Sequence, residues 1–332
     1  MIDIESPSTE PYFNLALEEY IFEKMPRNET YLMLWQNDNT VVVGRYQNTR
    51  EEIDPDFVRS HGIRVVRRLS GGGAVFHDRG NLNFTLVVDQ SDRQEFDFSF
   101  FTAPVLQTLH ELGVEAAFSG RNDLTIDGKK FCGNAQYARH GRLLHHGCIM
   151  LDSNITTVAD ALNAKPAKLA SKGVRSVHSR VTTINANAPR HISMSEFKAL
   201  LRTHISGSCE RKPYTLTEDD LKEVVRLQRE KYETWAWNYG ASPAYQMRGE
   251  VKTDAGLIDA RWTEHDGRIC GVKLYGDFFG NGELRELEDA LTGLATDGEM
   301  KRALERLPIG FYMSGITAAD LYRLFARDAV CF

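Results

Sequence analysis

The sequence predicts an α+β protein, with an antiparallel sheet and flanking helices, followed by a small α+β unit. Strand-like apolar runs are joined by Asp127-Gly128 and His140-Gly141, and such pairs favour tight β-hairpins. Longer runs with apolar residues at helical spacing lie before and after this strand-rich part. A turn-rich aromatic segment at residues 235–243 marks the expected boundary between domains of residues 1–244 and 245–332.

The helices are predicted from apolar spacing and from residues that start or end a helix. The first follows Pro11 at residues 13–22 and should leave Glu18, Glu19 and Glu23 outside. The same reasoning predicts helices at residues 98–112, 157–170, 194–205, 218–232, 283–294, 300–307 and 318–325.

The strands are predicted from short β-branched and apolar runs between turn residues. Residues 31–36 and 40–44 flank a polar turn and are expected to pair as a hairpin. Residues 249–262 and 268–275 should form a strand pair in the second domain. Further strands are expected at residues 63–66, 74–76, 82–88, 124–126, 130–138 and 142–151.

Composition narrows the class of protein. The 332 residues are 42% hydrophobic and 26% charged, which is typical of a soluble globular chain. A net charge of -6 argues against nucleic-acid binding, and no apolar run is long enough for a membrane span. Five cysteines without a C-x-x-C pair predict neither a disulfide framework nor a zinc site. With no signal-peptide pattern at residues 1–10, we expect a reducing, cytoplasmic location.

Residues 67–78, RRLSGGGAVFHD, combine charge, backbone freedom and apolar side chains. Three successive glycines let backbone N–H groups approach a ligand with no Cβ in the way. The run is neither a P-loop nor a dinucleotide-binding G-x-G-x-x-G. By itself it is interpreted either as a loop around a phosphate or as a tight turn.

A second polar cluster lies at the hairpin around residues 127–128. Strand alternation predicts that Lys130, Cys132 and Asn134 share one face. Lys130 would supply a point charge between anionic groups, unless it is only an edge lysine that faces water. The oxygens of Asn122 and Asp123 are suited to Mg²⁺, and Asp123 is the predicted metal ligand.

Two histidines and a cysteine follow on the next strand. Alternation predicts that His146 and Cys148 share a face and that His145 points the other way. No second pair of ligands stands at zinc spacing, so packing within the sheet is favoured over a metal site.

Taken in order, these motifs resemble the lipoate–protein ligase A family. The resemblance is carried by residues 67–78, 120–124 (GRNDL), 130–135 (KFCGNA), 145–147 (HHG), 172–181 (KGVRSVHSRV), 235–240 (WAWNYG) and 276–280 (GDFFG). It spans nearly the whole chain. It implies a biotin/lipoate ligase-like fold with a mixed, mainly antiparallel sheet, and an accessory C-terminal domain.

The resemblance implies a reaction in two steps. Lipoate and ATP give lipoyl-adenylate and pyrophosphate, and a lysine of a lipoyl domain then takes the acyl group and releases AMP. Lys130 matches the family's catalytic lysine, and ATP with Mg²⁺ are the implied cofactors. The implied partners are lipoyl domains of 2-oxoacid dehydrogenase E2 subunits and the glycine cleavage H protein.

The resemblance also implies residues that bind ATP and lipoate. Lys172 and Arg180 lie in the matching adenylate-binding loop, residues 165–181. The other implied binding residues are Arg68, Ser70, Gly72, Gly73, Ala74, Val75, Phe76, His77, Asn83, Asn122, Asp123 and His146.

The residues after the lysine, FCGNA, depart from the family's usual VSGSA or IGGSA. Cys132 therefore leaves open a thioester mechanism like that of the related octanoyltransferases. The further alternatives are a biotin ligase with the same core and a non-catalytic binder of lipoyl proteins.

Overall fold

The computed structural model describes residues 1–89, 97–162, 180–240, 247–296, 298–325 and 330–331. The chain divides into two compact units. The first consists of Met1–Val43, Thr49–Arg68 and Ala74–Asn238. The second consists of Gly44–Asn48, Leu69–Gly73 and Tyr239–Phe332, so two short stretches of the N-terminal part belong to it.

Within the described residues, the first unit contains a sheet of eight strands in the order β11-β1-β2-β6-β10-β9-β8-β7. The β11-β1 and β1-β2 pairs are parallel and the other pairs are antiparallel. The strands are β1 Ile2–Glu5, β2 Tyr31–Trp35, β6 Asn81–Asp89, β7 Ala117–Ser119, β8 Asp123–Ile126, β9 Lys129–Arg139, β10 Arg142–Met150 and β11 Lys212–Pro213. The predicted turns around Asp127 and His140 are present, with positive φ at both turn residues of each.

A smaller sheet in the first unit has the order β4-β3-β5, with β3 Thr40–Val43, β4 Arg64–Arg67 and β5 Val75–His77. The predicted hairpin of residues 31–36 with 40–44 is therefore wrong, since β2 and β3 belong to different sheets. The turn between them is held by the first helix. Asn14 donates 2.9 Å hydrogen bonds to the Gln36 carbonyl and to the Asn37 side chain.

The described helices of the first unit lie before, between and after the strands of its two sheets. They are α1 Pro11–Glu23, α2 Thr49–Glu52, α3 Pro55–Ser60, α4 Phe98–Glu111, α5 Ile155–Ala161, α6 Met194–Ser206, α7 Glu218–Leu227 continued by a short π-helix at Gln228–Tyr232, and α8 Trp235–Asn238. Buried residues of α4 and α6, such as Phe101 and Phe197, form one hydrophobic core with the sheet residues Leu34 and Phe84. Much of the predicted helix at 157–170 lies outside the described residues.

The second unit has, in its described part, a four-stranded antiparallel sheet of order β14-β13-β12-β15. Its strands are β12 Met247–Thr253, β13 Gly256–His265, β14 Arg268–Gly276 and β15 Val330–Cys331. Its helices are α9 Leu284–Leu291, α10 Gly298–Leu304, α11 Ile309–Tyr312 and α12 Ala318–Phe325. The single strand predicted at 249–262 is wrong, because the chain turns at Asp254 and Ala255 and residue 256 is a glycine with φ 142°.

The fold class predicted from the sequence is confirmed. Both units are α+β, and the large sheet is mixed and mainly antiparallel. No helix in the described ranges is long and apolar enough to cross a lipid bilayer.

Candidate active site

Lys130 lies near the start of β9. Its Nζ is 2.7 Å from Asp123 Oδ1 on the neighbouring strand, and both side chains are partly exposed. A Cβ built on Gly133 would lie 2.7 Å from the Lys130 Nζ and 2.8 Å from its Cε. The Lys130 side chain therefore occupies space that a side chain at position 133 would fill.

The prediction that Lys130 shares a face with Cys132 and Asn134 is wrong. The pairing of β8 with β9 shifts its register at this point, so that Phe131 is an extra residue on β9. Such a bulge reverses the alternation of side chains. Cys132 is fully buried in the hydrophobic core, whereas the Lys130 ammonium lies over Gly133 on the opposite face.

The Lys130 ammonium is held in its charged form. Burial lowers its pKa, but the Asp123 carboxylate and the neighbouring Cys148 sulfur act the other way, and the net pKa is raised. Burial raises the pKa of the Cys132 thiol well above its ordinary value, so this cysteine is not an activated nucleophile. The structure therefore presents a cation at the Lys130 position and no thiolate at Cys132.

Asn122 and Asp123, both predicted as polar site residues, contact β9. Asn122 donates from Nδ2 to the Asn134 carbonyl at 2.6 Å, and its own carbonyl accepts two 3.0 Å bonds from Asn134. Asp123 is occupied by its ion pair with Lys130. In the described part of the chain, no three His, Cys, Asp or Glu side chains are grouped so that they could hold a metal ion.

The same face of the sheet carries a buried hydrogen-bond relay that ends on Glu18 of α1. Trp35 Nε1 donates to Thr85 Oγ1 at 2.9 Å, and Thr85 Oγ1 donates to Glu18 Oε1 at 2.7 Å. His146 Nδ1 lies 2.8 Å from the same oxygen. The prediction that Glu18 lies outside is wrong, since its side chain is only 1% exposed. Glu18 lies on the side of α1 that packs on the sheet.

Arg68 and His77 add a buried cation and a neutral ring. Burial lowers the pKa of Arg68 to about 10, while the charge of Glu18 counteracts this effect. Burial and the Arg68 charge lower the pKa of His77 to about 3. Its Nδ1 faces the amide nitrogens of Asn37 and Asn83, at 3.2 Å and 3.4 Å. A neutral ring with its proton on Nε2 lets Nδ1 accept from both amides.

The predicted adenylate-binding loop is described only at its end. Lys172 lies outside the described residues. Arg180 accepts a 2.7 Å backbone hydrogen bond from Lys130 through its carbonyl, and Thr182 donates 2.9 Å to the Lys130 carbonyl. The loop therefore ends as a short strand-like pairing with the residue that carries the cation.

The glycine motif is divided between the two units. Residues 74–77 run into β5 of the first unit, where Phe76 and His77 are buried and Ala74 and Val75 are half-buried. Ser70, Gly72 and Gly73 belong to the second unit. There the Ser70 carbonyl accepts a 2.9 Å hydrogen bond from the Arg45 amide.

Glu18, Thr85 and Trp35 meet at this face of the sheet, and none of them was predicted from the sequence to do so. The available signal was the polar Thr85 within an apolar strand, opposite His146 in the β6-β10 register. The prediction that His146 and Cys148 share a face opposite His145 agrees with the contacts, because His146 meets Glu18 while His145 stacks on Phe101 in the core.

The first unit of this α+β protein thus holds a fixed ammonium on one sheet face and a buried guanidinium. The chain matches the lipoyl protein ligase A/B catalytic domain over residues 10–206 and the bacterial lipoate protein ligase C-terminus over residues 242–325. The chain therefore belongs to the lipoate–protein ligase family.

Relatives match along nearly the full length. Lipoate–protein ligase 1 of Staphylococcus aureus is 39% identical over 319 residues, covering 96% of this chain and 97% of the relative. Lipoate-protein ligase LplJ of Bacillus subtilis is 40% identical over 319 residues, covering 95% and 96%.

Two solved structures are also similar. One is a bipartite lipoate protein ligase from Thermoplasma acidophilum, studied with its E2 lipoyl domain, with TM-score 0.65 and 28% identity over 73% of this chain and 97% of that one. The other is a lipoate-protein ligase A bound with ATP, with TM-score 0.63 and 26% identity over 72% and 98%.

Proposed function

We propose that the protein ligates free lipoate to a lysine of lipoyl domains at the expense of ATP. In the first step a lipoate carboxylate oxygen attacks the α-phosphorus of ATP, and pyrophosphate leaves. In the second step a deprotonated lysine amine attacks the acyl carbonyl, the amide forms, and AMP leaves. The observation that carries the proposal is the Lys130 ammonium, charged and fixed 2.7 Å from Asp123 on the site face.

Lys130 is the catalytic residue of this proposal. An ammonium has three donors, and Asp123 takes one of them, so two remain for a carboxylate and a phosphate oxygen. Holding these two anions together offsets their repulsion and aligns the attacking oxygen. The same charge stabilises the oxygen that becomes negative when the amine attacks the carbonyl. Both steps therefore depend on one cation.

The remaining predicted residues would bind the substrates. We assign the lipoate and ATP sites to Arg68, Ser70, Gly72, Gly73, Ala74, Val75, Phe76, His77, Asn83 and His146. Asn122, Asp123, Lys172 and Arg180 would lie near the phosphates. Mg²⁺ would enter with ATP and screen the charge of the leaving pyrophosphate, and the described residues supply no cluster to hold it beforehand.

The domain and partner assignments belong to the same proposal. Residues 1–244 would form the catalytic domain and residues 245–332 the accessory domain. The acceptors would be lipoyl domains of E2 subunits, as in the Thermoplasma acidophilum pair, and the glycine cleavage H protein. The reaction needs intracellular ATP, which fits a cytoplasmic location.

Intact-mass measurement of an apo lipoyl domain tests the function. With lipoate, ATP and Mg²⁺ the acceptor should gain one lipoyl group, and omission of ATP should abolish the gain. Transfer from an acyl-carrier thioester without ATP would instead support the transferase. Tight binding of the acceptor without any mass change would support the non-catalytic binder.

A further inference from the structure

Two stretches from the N-terminal part of the chain are built into the second unit. They are Gly44–Asn48 and Leu69–Gly73, and the second, called the glycine segment below, contains Ser70 and all three glycines of the motif at residues 67–78. The chain leaves the first unit after Val43 and again after Arg68, and each time it returns within five residues. The glycine segment is thus part of the same compact unit as the C-terminal sheet.

Tyr46 anchors the first stretch in the core of the second unit. It is 6% exposed and belongs to the same hydrophobic cluster as Phe278. The two rings stack with centroids 5.1 Å apart and planes 15° from parallel. The phenol donates to the carbonyls of Gly280 and Gly282 at 3.1 Å and 3.2 Å. The Tyr46 carbonyl also accepts 2.8 Å from the Gly276 amide.

The glycine segment rests on the same Phe278. The Gly72 amide donates to the Phe278 carbonyl at 3.3 Å. A Cβ at Gly71 would lie 2.2 Å from that carbonyl oxygen and 3.1 Å from Phe279 Cα. Only glycine allows this close approach of two backbones. The GDFFG motif at residues 276–280 thus packs against the glycine segment.

We propose that Tyr46 and Phe278 are positioning residues for substrate activation, because they fix the glycine segment that binds lipoate and ATP. The inference rests on the proposed ligase function. Neither side chain needs to touch a substrate. Arg45 supports the stretch from its other side, since its amide donates to the Ser70 carbonyl at 2.9 Å and its side chain pairs with Glu283. The second unit then contributes to activation through backbone contacts.

The test compares substitutions at Tyr46 with one elsewhere in the same core. Tyr46→Leu removes the stacked ring, Tyr46→Phe keeps the ring and loses the two phenol hydrogen bonds, and Gly71→Ala places a methyl group on the Phe278 carbonyl. Leu304→Ala is the control, because Leu304 is a fully buried residue on α10 of the same cluster.

The assay is lipoate-dependent exchange of pyrophosphate into ATP. In Tyr46→Leu and Gly71→Ala, the KM for lipoate and ATP should rise by about tenfold or more. In Tyr46→Phe, the KM should stay much closer to that of wild type. Leu304→Ala should lower Tm while KM stays near wild type. Equal KM changes for Tyr46→Leu and Leu304→Ala at matched destabilisation would overturn the inference.

Hydrogen exchange gives an independent result. The amides of residues 69–73 should exchange faster in Tyr46→Leu than in Leu304→Ala, and unchanged exchange would also overturn the inference. A wild-type protein without pyrophosphate exchange would contradict the proposed function instead. In that case the hydrogen-exchange comparison still decides whether Tyr46 positions the segment.

Discussion

Adjacent histidines on β10 have opposite environments, and the difference separates the two faces of the large sheet. His145 points into the core, stacks on Phe101 at 4.8 Å and faces the Gln136 amide nitrogen at 3.0 Å. His146 points to the other face, where its Nδ1 is 2.8 Å from the Glu18 carboxylate. One face of the sheet packs in the hydrophobic core, and the other carries the Lys130 ammonium and faces the Glu18 carboxylate.

The largest effect should come from the cation on the site face. Lys130→Ala and Lys130→Arg should each lower acceptor modification by about 10²- to 10³-fold, because a preorganised charge at the reacting centre is lost or misplaced. Lys129→Ala is the matched control, since Lys129 starts the same strand and is exposed. Full activity of either Lys130 variant, measured by intact mass, would remove the lysine from the mechanism.

Substitution of Gly133 and of Gly147 tests the two faces of the large sheet separately, because each glycine lies on a different face. Gly133→Ala should push away the Lys130 ammonium, which lies at the end of a flexible chain, so activity should fall by about 10²-fold with little change in Tm. Gly147→Ala would place a methyl group 2.4 Å from both Asn134 Oδ1 and a Phe84 ring carbon in the core. It should lower stability by about 1–3 kcal/mol.

Calorimetry and steady-state rates, measured on both glycine variants, check this pair of predictions. The folded fraction of Gly147→Ala should still modify the acceptor. The reverse pattern, with Gly133→Ala unstable and Gly147→Ala inactive but stable, would contradict the assignment of the two faces.

Acid should destabilise the protein through two buried histidines, His77 on β5 of the smaller sheet and His145 on β10 of the large sheet. Burial lowers the pKa of His77 to about 3 and that of His145 well below its ordinary value. Below about pH 6.5 the unfolded chain therefore binds protons that the folded protein excludes, so stability falls as pH falls. Each histidine should contribute up to about 1.4 kcal/mol per pH unit. For His77 this contribution should extend down to about pH 3.

Urea unfolding between pH 7 and pH 5 measures this dependence. His145→Gln and His77→Gln should each make the decline in the free energy of unfolding less steep, by up to one proton. A slope identical to that of wild type in both variants would show that neither ring is held neutral.

The smallest effect is expected for Cys132→Ser. The thiol lies on the core face with a raised pKa, so the variant should keep ligase activity. A buried hydroxyl in its place should lower stability by about 1–2 kcal/mol. An acyl group trapped on wild-type Cys132, seen by peptide mass, would favour the thioester mechanism instead.

The sequence predicted that polar residues meet around Lys130, but not how they are arranged. Lys130 and Asp123 were predicted from a polar hairpin, and they form an ion pair. Simple alternation failed at Lys130 because one extra residue in β9 reverses the faces, and bulges leave no reliable trace in a single sequence. Glu18 was missed because helical spacing shows an acidic residue but not the buried Thr85 hydroxyl that donates to it.

The hairpin error has a different cause. Both β2 and β3 are buried along their whole length, so their apolar runs fit a central strand of any sheet. The choice of sheet is made by long-range contacts such as Asn14 with Asn37, 23 residues apart. Local turn signals do not contain that information.

Binding of an acyl-adenylate is the most direct test of the site face. A non-hydrolysable lipoyl-adenylate analogue, in which a sulfamate replaces the phosphate, can be titrated calorimetrically into wild type, Lys130→Ala and Lys129→Ala. We expect Lys130→Ala to weaken binding by about 10- to 100-fold, from the roughly 1.5–3 kcal/mol of a hydrogen bond to a charged group, with Lys129→Ala unchanged. Equal affinity of wild type and Lys130→Ala would contradict the account.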